Sequence, residues 1–376
     1  MVGVRPRHVY VHVPFCARRC SYCDFSIAVR REVPVARYIT GVADELQMRF
    51  PTEAASWDAD TIYLGGGTPS LLGPGGIERL LAVLRSRIAF AADAEVTLEA
   101  NPDDITETAA AAWRKAGINR LSIGAQSFDD GALRWMHRTH TTERIRTAVD
   151  GARSGGIESV SIDLIFALPA VLGRDWPRDL DSALGLGPDH ISVYGLTVEP
   201  RTALGRWVAR RDVAEAPEEL YEAEFLDAHR VLTAAGYEHY EVSNYARPGQ
   251  RARHNGAYWT GEPYIGLGPS AHGFDGRERR WNEPNYTAWL DRVAAGRDPV
   301  AGCETLTAAN RTAERVYLEL RTTRGTVLNE GETESARAWV QAGWARLEGS
   351  LLVLSPPGWL RLDTLAVALV NARSGV

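Results

Sequence analysis

The feature that most limits the fold is an alternation. Short β-rich runs appear at RHVYVHV, DTIYLGG, AEVTLEA, NRLSIGA, SVSIDLIF and HISVYGL, and helical stretches such as IERLLAVLRSRI, TETAAAAWRKAG and RIRTAVDGARSGG separate them. Six strand-then-helix units before about residue 235 imply an α/β fold with a parallel sheet, since each helix returns the chain to the same edge direction. Polar residues recur where these strands end: Gly65 to Thr68, Glu99, Gln126 and Asp163. A partial or full (β/α) barrel brings such ends to one mouth, whereas an open doubly wound sheet less readily gathers four or five of them. A barrel core over residues 1–235 is therefore expected.

Beyond the helix expected from Pro217 the texture changes. Residues 236–305 are rich in Gly, Tyr and Trp and read as irregular strands and loops that cover an opening. Residues 306–376 read as helix-rich, with a strand pair in ARLEGSLLVLS and a last helix in WLRLDTLAVALV, an order resembling a small winged-helix-like unit. A cap packed on the barrel is favoured over DNA binding, because no dense basic stripe accompanies it. The net charge of -6 likewise argues against a basic nucleic-acid binder, leaving only a local positive patch at Arg18, Arg19, Arg30 and Arg31. With 45% hydrophobic and 24% charged residues the chain has the balance of a soluble globular protein. Its N-terminal stretch MVGVRPRHVYVHVPF holds no signal-peptide core, and nothing approaches the about 18 apolar residues of a membrane span. The expected location is the cytoplasm, where clustered thiols read as metal ligands or redox groups rather than disulfides.

Such a cluster exists: Cys16, Cys20 and Cys23 sit in VPFCARRCSYCDF, on the loop after the first strand. Four thiolates would close an iron–sulfur or zinc site; three leave one position without a protein ligand. A molecule with an amine and a carboxylate can chelate an open iron, and S-adenosylmethionine is the cofactor that exploits this for radical chemistry. A zinc site completed by His12 or a distant residue is the alternative that spacing alone leaves open. Cys303 stands alone and is expected to act as a small buried hydrophobe.

Seven ordered stretches, YVHVPFCARRCSYCDF, IYLGGGTPSLL, LEANPDD, RLSIGAQSF, RTH, SIDLIFALP and ISVYGLTVEP, resemble the radical S-adenosylmethionine proteins related to the oxygen-independent coproporphyrinogen III dehydrogenase. The resemblance runs from about Tyr10 to Phe274. It implies a 4Fe-4S cluster on Cys16, Cys20 and Cys23, and S-adenosylmethionine bound by Gly66, Gly67 and Thr68, by Glu99, and beside Tyr10. It further implies that Gln126, Arg138 and Asp163 line the same cavity, where the dehydrogenase holds a second S-adenosylmethionine.

Two departures separate this sequence from the dehydrogenase. Its cluster motif continues to a fourth cysteine where Phe25 stands here, and it carries a longer N-terminal segment, whereas nine residues precede Tyr10 here. Both match the HemW-type haem chaperones instead, as does HNGAYW, His254 to Trp259, which fits the H-N-x-x-Y-W motif associated with haem binding in that group. A neutral imidazole can ligate haem iron while Tyr258 and Trp259 offer flat apolar surface; a hydrogen-bonded structural role for His254 stays open, and His239 and His272 are the other candidate ligands. The expected function is a haem chaperone that delivers haem to a respiratory client, with no catalytic residue assigned. Porphyrinogen dehydrogenation is the alternative. A homodimer and peripheral membrane contact are left open.

Overall fold

The computed structural model describes residues 6–50 and 58–374. Residues 1–5, part of the stretch read above for a signal peptide, lie outside the described residues, as do 51–57 and 375–376.

Six strands follow the expected runs: β1 (His8–Val13), β2 (Asp58–Gly66), β3 (Ala89–Ala100), β4 (Arg120–Gln126), β5 (Ser159–Phe166) and β6 (His190–Gly195). Each pairs in parallel with the next. Side chains alternate across the sheet, and the two faces differ in chemistry. Val9, Val11, Ile62, Leu64, Leu98, Leu121, Ile123, Val160, Ile162 and Ile191 are buried on the outer face, under the helices. Those helices present matching stripes, such as Ile77, Leu80, Leu81 and Leu84 on Gly73–Arg85, and Ile145, Ala148, Val149 and Ala152 on Thr142–Ser154. Their starts are fixed by side chains: Thr106 accepts from the Ala109 amide and Thr141 from the Arg144 amide, contacts worth about 1 kcal/mol each. The inner face carries Tyr10, His12, Tyr63, Glu99, Ser122 and Asp163 and is polar. A parallel sheet buried on both faces by helices would read as continuous apolar runs; here the alternation marks a barrel with a polar interior.

Residues 236–305, read above as an irregular cover, extend this same sheet at both edges. β7 (Glu238–Glu241), at the outer edge, pairs antiparallel with β8 (Asn244–Ala246), which in turn pairs antiparallel with β6. β9 (Tyr264–Leu267) pairs parallel with β1 at the far edge, Gly266 opposite Tyr10, and β10 (His272–Phe274), β11 (Glu278–Asn282) and β12 (Val300–Thr305) follow antiparallel. The result is a 12-stranded sheet in the order β12-β11-β10-β9-β1-β2-β3-β4-β5-β6-β8-β7. The helix Arg253–Thr260 carries the chain from one edge to the other and packs on β2. Cys303, expected to be buried, is exposed: it lies on the outermost strand β12, paired only with Arg280 of β11.

The tail runs helix Ala308–Leu320, β13 (Thr326–Val327), helix Glu332–Gln341, β14 (Ala345–Glu348), β15 (Leu351–Leu354) and helices Pro356–Trp359 and Leu362–Ser374. Its three strands form a separate antiparallel sheet in the order β13-β15-β14, the last two being the expected pair in ARLEGSLLVLS. The tail docks through Arg321, whose guanidinium holds Glu241 of β7 at 2.7 Å and lies 3.9 Å over the Trp259 ring.

Candidate radical S-adenosylmethionine site

The cysteine loop hangs from the carboxyl end of β1. It is anchored at Phe15–Cys16, which pairs in parallel with Ala28–Val29, and at Ser21, whose amide donates to the Met136 carbonyl at 3.1 Å. Cys16 is buried, while Cys20 and Cys23 are partly exposed. Among the described residues no three His, Cys, Asp or Glu side chains converge as ligands of a single ion. His12, which the zinc alternative could use as a fourth ligand, has both ring nitrogens engaged, by the Tyr10 hydroxyl at 3.0 Å and the Ser26 carbonyl at 3.0 Å. Burial pushes the Cys16 thiol up to about 11, against the hydrogen bond from Thr68 Oγ1 at 3.5 Å, and raises Cys23 as well. Ligation by these groups must therefore displace their protons.

The glycine turn after β2 lies directly against this loop. Gly66 has φ +111, and a Cβ there would sit 2.6 Å from the His12 ring. On Gly67 a Cβ would come 2.7 Å from the Phe15 carbonyl oxygen, so only glycine lets the two backbones meet. Glu99 fixes the turn from β3: its carboxylate accepts from the Gly66 amide at 3.0 Å and from the Tyr63 hydroxyl at 2.8 Å. Burial raises the Glu99 pKa to about 7; the two hydrogen bonds oppose that and the Asp163 charge adds to it.

Tyr10 stacks on Tyr63 with ring centroids 6.1 Å apart. Asp163 accepts from Ser122 Oγ at 3.0 Å, and its pKa is raised by burial. Arg138 reaches from beyond β4 to the cluster loop: its guanidinium donates to the Gly124 carbonyl at 2.7 Å and to Cys20 Sγ at 3.5 Å. Its Nε is buried without a partner among the described residues, a group that a ligand's acceptor would satisfy. Gln126, at the end of β4, has φ +70, a conformation uncommon outside glycine, which turns it out of the strand path. The geometry thus brings together Tyr10, Gly66, Gly67, Thr68, Glu99, Gln126, Arg138 and Asp163 around the cysteine loop, with Tyr63 and Ser122, which the sequence reading passed over. The polar-apolar alternation within TIYLGG and RLSIGAQ is the signal that marks those two.

His254 stands apart from this group. It is 1% exposed, stacked on Tyr63 at 5.0 Å, with Nδ1 bonded to Thr61 Oγ1 at 2.6 Å and Nε2 to the Tyr258 hydroxyl at 2.8 Å. Burial lowers its pKa to about 3, so the ring is neutral and satisfied. Both of its ring nitrogens are engaged by hydroxyl groups in this arrangement. His239 is likewise engaged, by His229 at 3.0 Å and the Val242 carbonyl at 3.2 Å.

Residues 10–183 match the Radical SAM superfamily model. A protein of Mycobacterium tuberculosis called heme chaperone HemW is 38% identical over 98% of this chain and 95% of its own length. The chain belongs to the HemW family of radical S-adenosylmethionine proteins. The HemW protein of Escherichia coli K12 is 39% identical over 73% of this chain and 71% of its own length. Among solved structures, the radical SAM coproporphyrinogen III oxidase HemN of Escherichia coli superposes with a TM-score of 0.82, covering 98% of this chain and 91% of its own, at 23% identity. That likeness establishes a shared fold. Among the described residues of this HemW-family chain no helix is long and apolar enough to cross a membrane.

Proposed function

We propose that the protein is a haem chaperone that binds haem, holds a 4Fe-4S cluster on Cys16, Cys20 and Cys23, and delivers haem to a respiratory client protein. The observation that carries this reading is the end-to-end similarity to a relative named a heme chaperone, 38% identical over 98% of the chain. Phe25 supports it: the dehydrogenase motif places a fourth cysteine there, and this side chain is 66% exposed beside Cys23.

In this reading the inner barrel face receives S-adenosylmethionine, which supplies radical chemistry when bound to a reduced cluster. Gly66, Gly67 and Thr68 line its methionyl end, while Glu99 accepts from its ammonium or ribose hydroxyls. Glu99 changes charge near neutrality, so cation binding there draws the carboxylate form. Tyr10 packs beside the ligand, and Gln126, Arg138 and Asp163 wall the cavity and exclude water. Residues 1–235 carry this site, residues 236–305 complete the sheet around it and 306–376 cap it. The cluster and S-adenosylmethionine assist transfer or dimerisation, and contact with a membrane-bound client is peripheral.

The test is anaerobic reconstitution of the full chain, followed by haemin titration and, separately, incubation with reductant, S-adenosylmethionine and coproporphyrinogen III. Iron–sulfur absorbance, haemin binding and no protoporphyrinogen are expected. Formation of protoporphyrinogen would replace this reading with the dehydrogenase.

A further inference from the structure

Two residues of the HNGAYW helix begin a line of hydrogen bonds that crosses the barrel wall. His254 and Tyr258 are spaced i, i+4 on Arg253–Thr260, which puts them on one face, and the Tyr258 hydroxyl bonds His254 Nε2 at 2.8 Å. Beneath that face His8 of β1 and Thr61 of β2 are paired residues, on the same side of the strands as Tyr10 and Tyr63 by the period of two. Thr61 Oγ1 bonds His254 Nδ1 at 2.6 Å and His8 Nδ1 at 2.9 Å. His8 Nε2 then reaches Glu262 Oε2 at 2.9 Å, just past Gly261, which ends the helix. Tyr258, His254, Thr61, His8 and Glu262 are thus joined in series by four hydrogen bonds.

The ends of this line face different surroundings. Tyr258 lines a cavity of about 290 Å³ together with Tyr10, His12 and, on the cluster loop, Phe25 and Ser26. The Glu262 side chain is half-exposed, whereas His8, Thr61 and His254 are buried. The bond from His8 holds the Glu262 carboxyl below its usual range, and an ionised carboxylate only accepts, so His8 donates from Nε2. Every other proton is then fixed in turn: Thr61 donates to His8 Nδ1, His254 Nδ1 to Thr61, and Tyr258 to His254 Nε2. All four bonds point outward, and His254, Thr61 and His8 each give one and accept one. Burial lowers the His254 pKa to about 3 and raises that of the Tyr258 hydroxyl, so neither an imidazolium nor a phenolate rests in the line. A proton crosses it by concerted handover, with no charge left in the middle.

We propose that Tyr258, His254, Thr61, His8 and Glu262 form a proton relay that carries protons released in the cavity out to solvent. A donor in the cavity gives its proton to the Tyr258 oxygen as the Tyr258 proton passes to His254 Nε2. The Nδ1 proton of His254 passes to Thr61, that of Thr61 to His8 Nδ1, and the Nε2 proton of His8 to Glu262, which releases it to water. One proton enters and one leaves, no electron moves, and both imidazoles end neutral as the opposite tautomers; the same atoms carry a proton back when the ligand leaves. Such donors belong to the site, since a thiol or an ammonium binds a metal only after losing its proton. The inference goes beyond the haem-chaperone reading and stands whether or not haem binds.

The experiment is nuclear magnetic resonance on the full-length protein, isotope-labelled in its histidine rings, with no ligand added. His254 is expected to carry its proton on Nδ1 and His8 on Nε2. In deuterium oxide the His254 ring proton is expected to exchange roughly tenfold or more faster than the backbone amide of Ile62, next to Thr61, because deuterium enters along the line. Thr61→Val, which keeps the shape and cuts the line, is expected to remove that advantage, and Thr61→Ser to restore it. Glu262→Gln, at the surface, is expected to slow the ring proton as well, and decides alone if Thr61→Val does not fold. A wild-type ring proton that exchanges no faster than the Ile62 amide would mark a static brace and overturn the relay. So would the two histidines both protonated on Nε2, which breaks the line at Thr61, or a ring proton indifferent to the cut.

Discussion

The cysteine loop and the His254–Trp259 helix sit near opposite ends of β1 and carry equally dense motifs, yet they are built in opposite ways. Around the loop, polar groups are left over: three free thiols and the Arg138 Nε. In the helix both nitrogens of His254 are consumed, while the Trp259 Nε1 is buried without a hydrogen-bond partner among the described residues. His254 is closed by Thr61 and Tyr258, and Trp259 lies under Arg321, which is itself locked to the fully buried Glu241. A histidine with aromatic neighbours reads alike in either setting; what separates a ligand from a keystone is whether its polar atoms already have partners. By its contacts the second region is the joint that holds the tail and β7 to the barrel.

The contrast is most exposed to failure at the thiols. Cys16→Ser, Cys20→Ser or Cys23→Ser, each alone, is expected to abolish iron–sulfur absorbance after anaerobic reconstitution while leaving the urea midpoint of the metal-free protein nearly unchanged. Retained iron in any of them breaks the ligand assignment. The joint predicts the reverse. Glu241→Ala strands Arg321 and is expected to cost about 3–5 kcal/mol in urea melts with the three thiols still competent for iron. A cost below 1 kcal/mol would show that the joint bears little.

Next in size is His254→Leu, which takes the ring nitrogen from the Tyr258 hydroxyl and leaves Thr61 with His8 alone, and is expected to cost about 1–3 kcal/mol. The two regions should also respond to pH with opposite slopes. His254 has a folded pKa of about 3 against 6.5, so the unfolded chain binds the extra proton and stability is lost as pH falls from 6.5 toward 3. Glu99 has a folded pKa of about 7 against 4.5, so its contribution is present below pH 4.5 and is lost as pH rises through 7. Urea melts across pH should find that His254→Gln flattens the acid limb and Glu99→Gln the neutral one; a flattening of the same limb by both would contradict the assignment. Smallest is Phe25→Ser, an exposed position expected to shift stability by less than about 0.5 kcal/mol.

Much of this was legible in the sequence, for a local reason. The six parallel strands, their helices and the turn residues at their ends are set by periodicity and by glycines within each short run, so Gly66, Glu99, Arg138 and Asp163 could be expected to converge. The pairing of β9 with β1 could not, because the partners are some 250 residues apart and β9 is only four residues long. The surroundings of His254 were hidden for a related reason: Thr61 and Tyr63 lie on β2, and no local pattern reveals a contact to a distant strand. The exposure of Cys303 likewise follows from its place on the last strand of the sheet, which only the assembled order defines.

The central claim is that this barrel serves haem delivery, and the most direct measurement is transfer. Full-length protein, reconstituted anaerobically and loaded with haem, is mixed with a haem-depleted respiratory haemoprotein, and the recovery of the acceptor's own spectrum and activity is followed. Recovery that depends on Cys16, Cys20 and Cys23 is predicted; haem that stays on the donor, or an acceptor restored equally well by the cysteine variants, would contradict it.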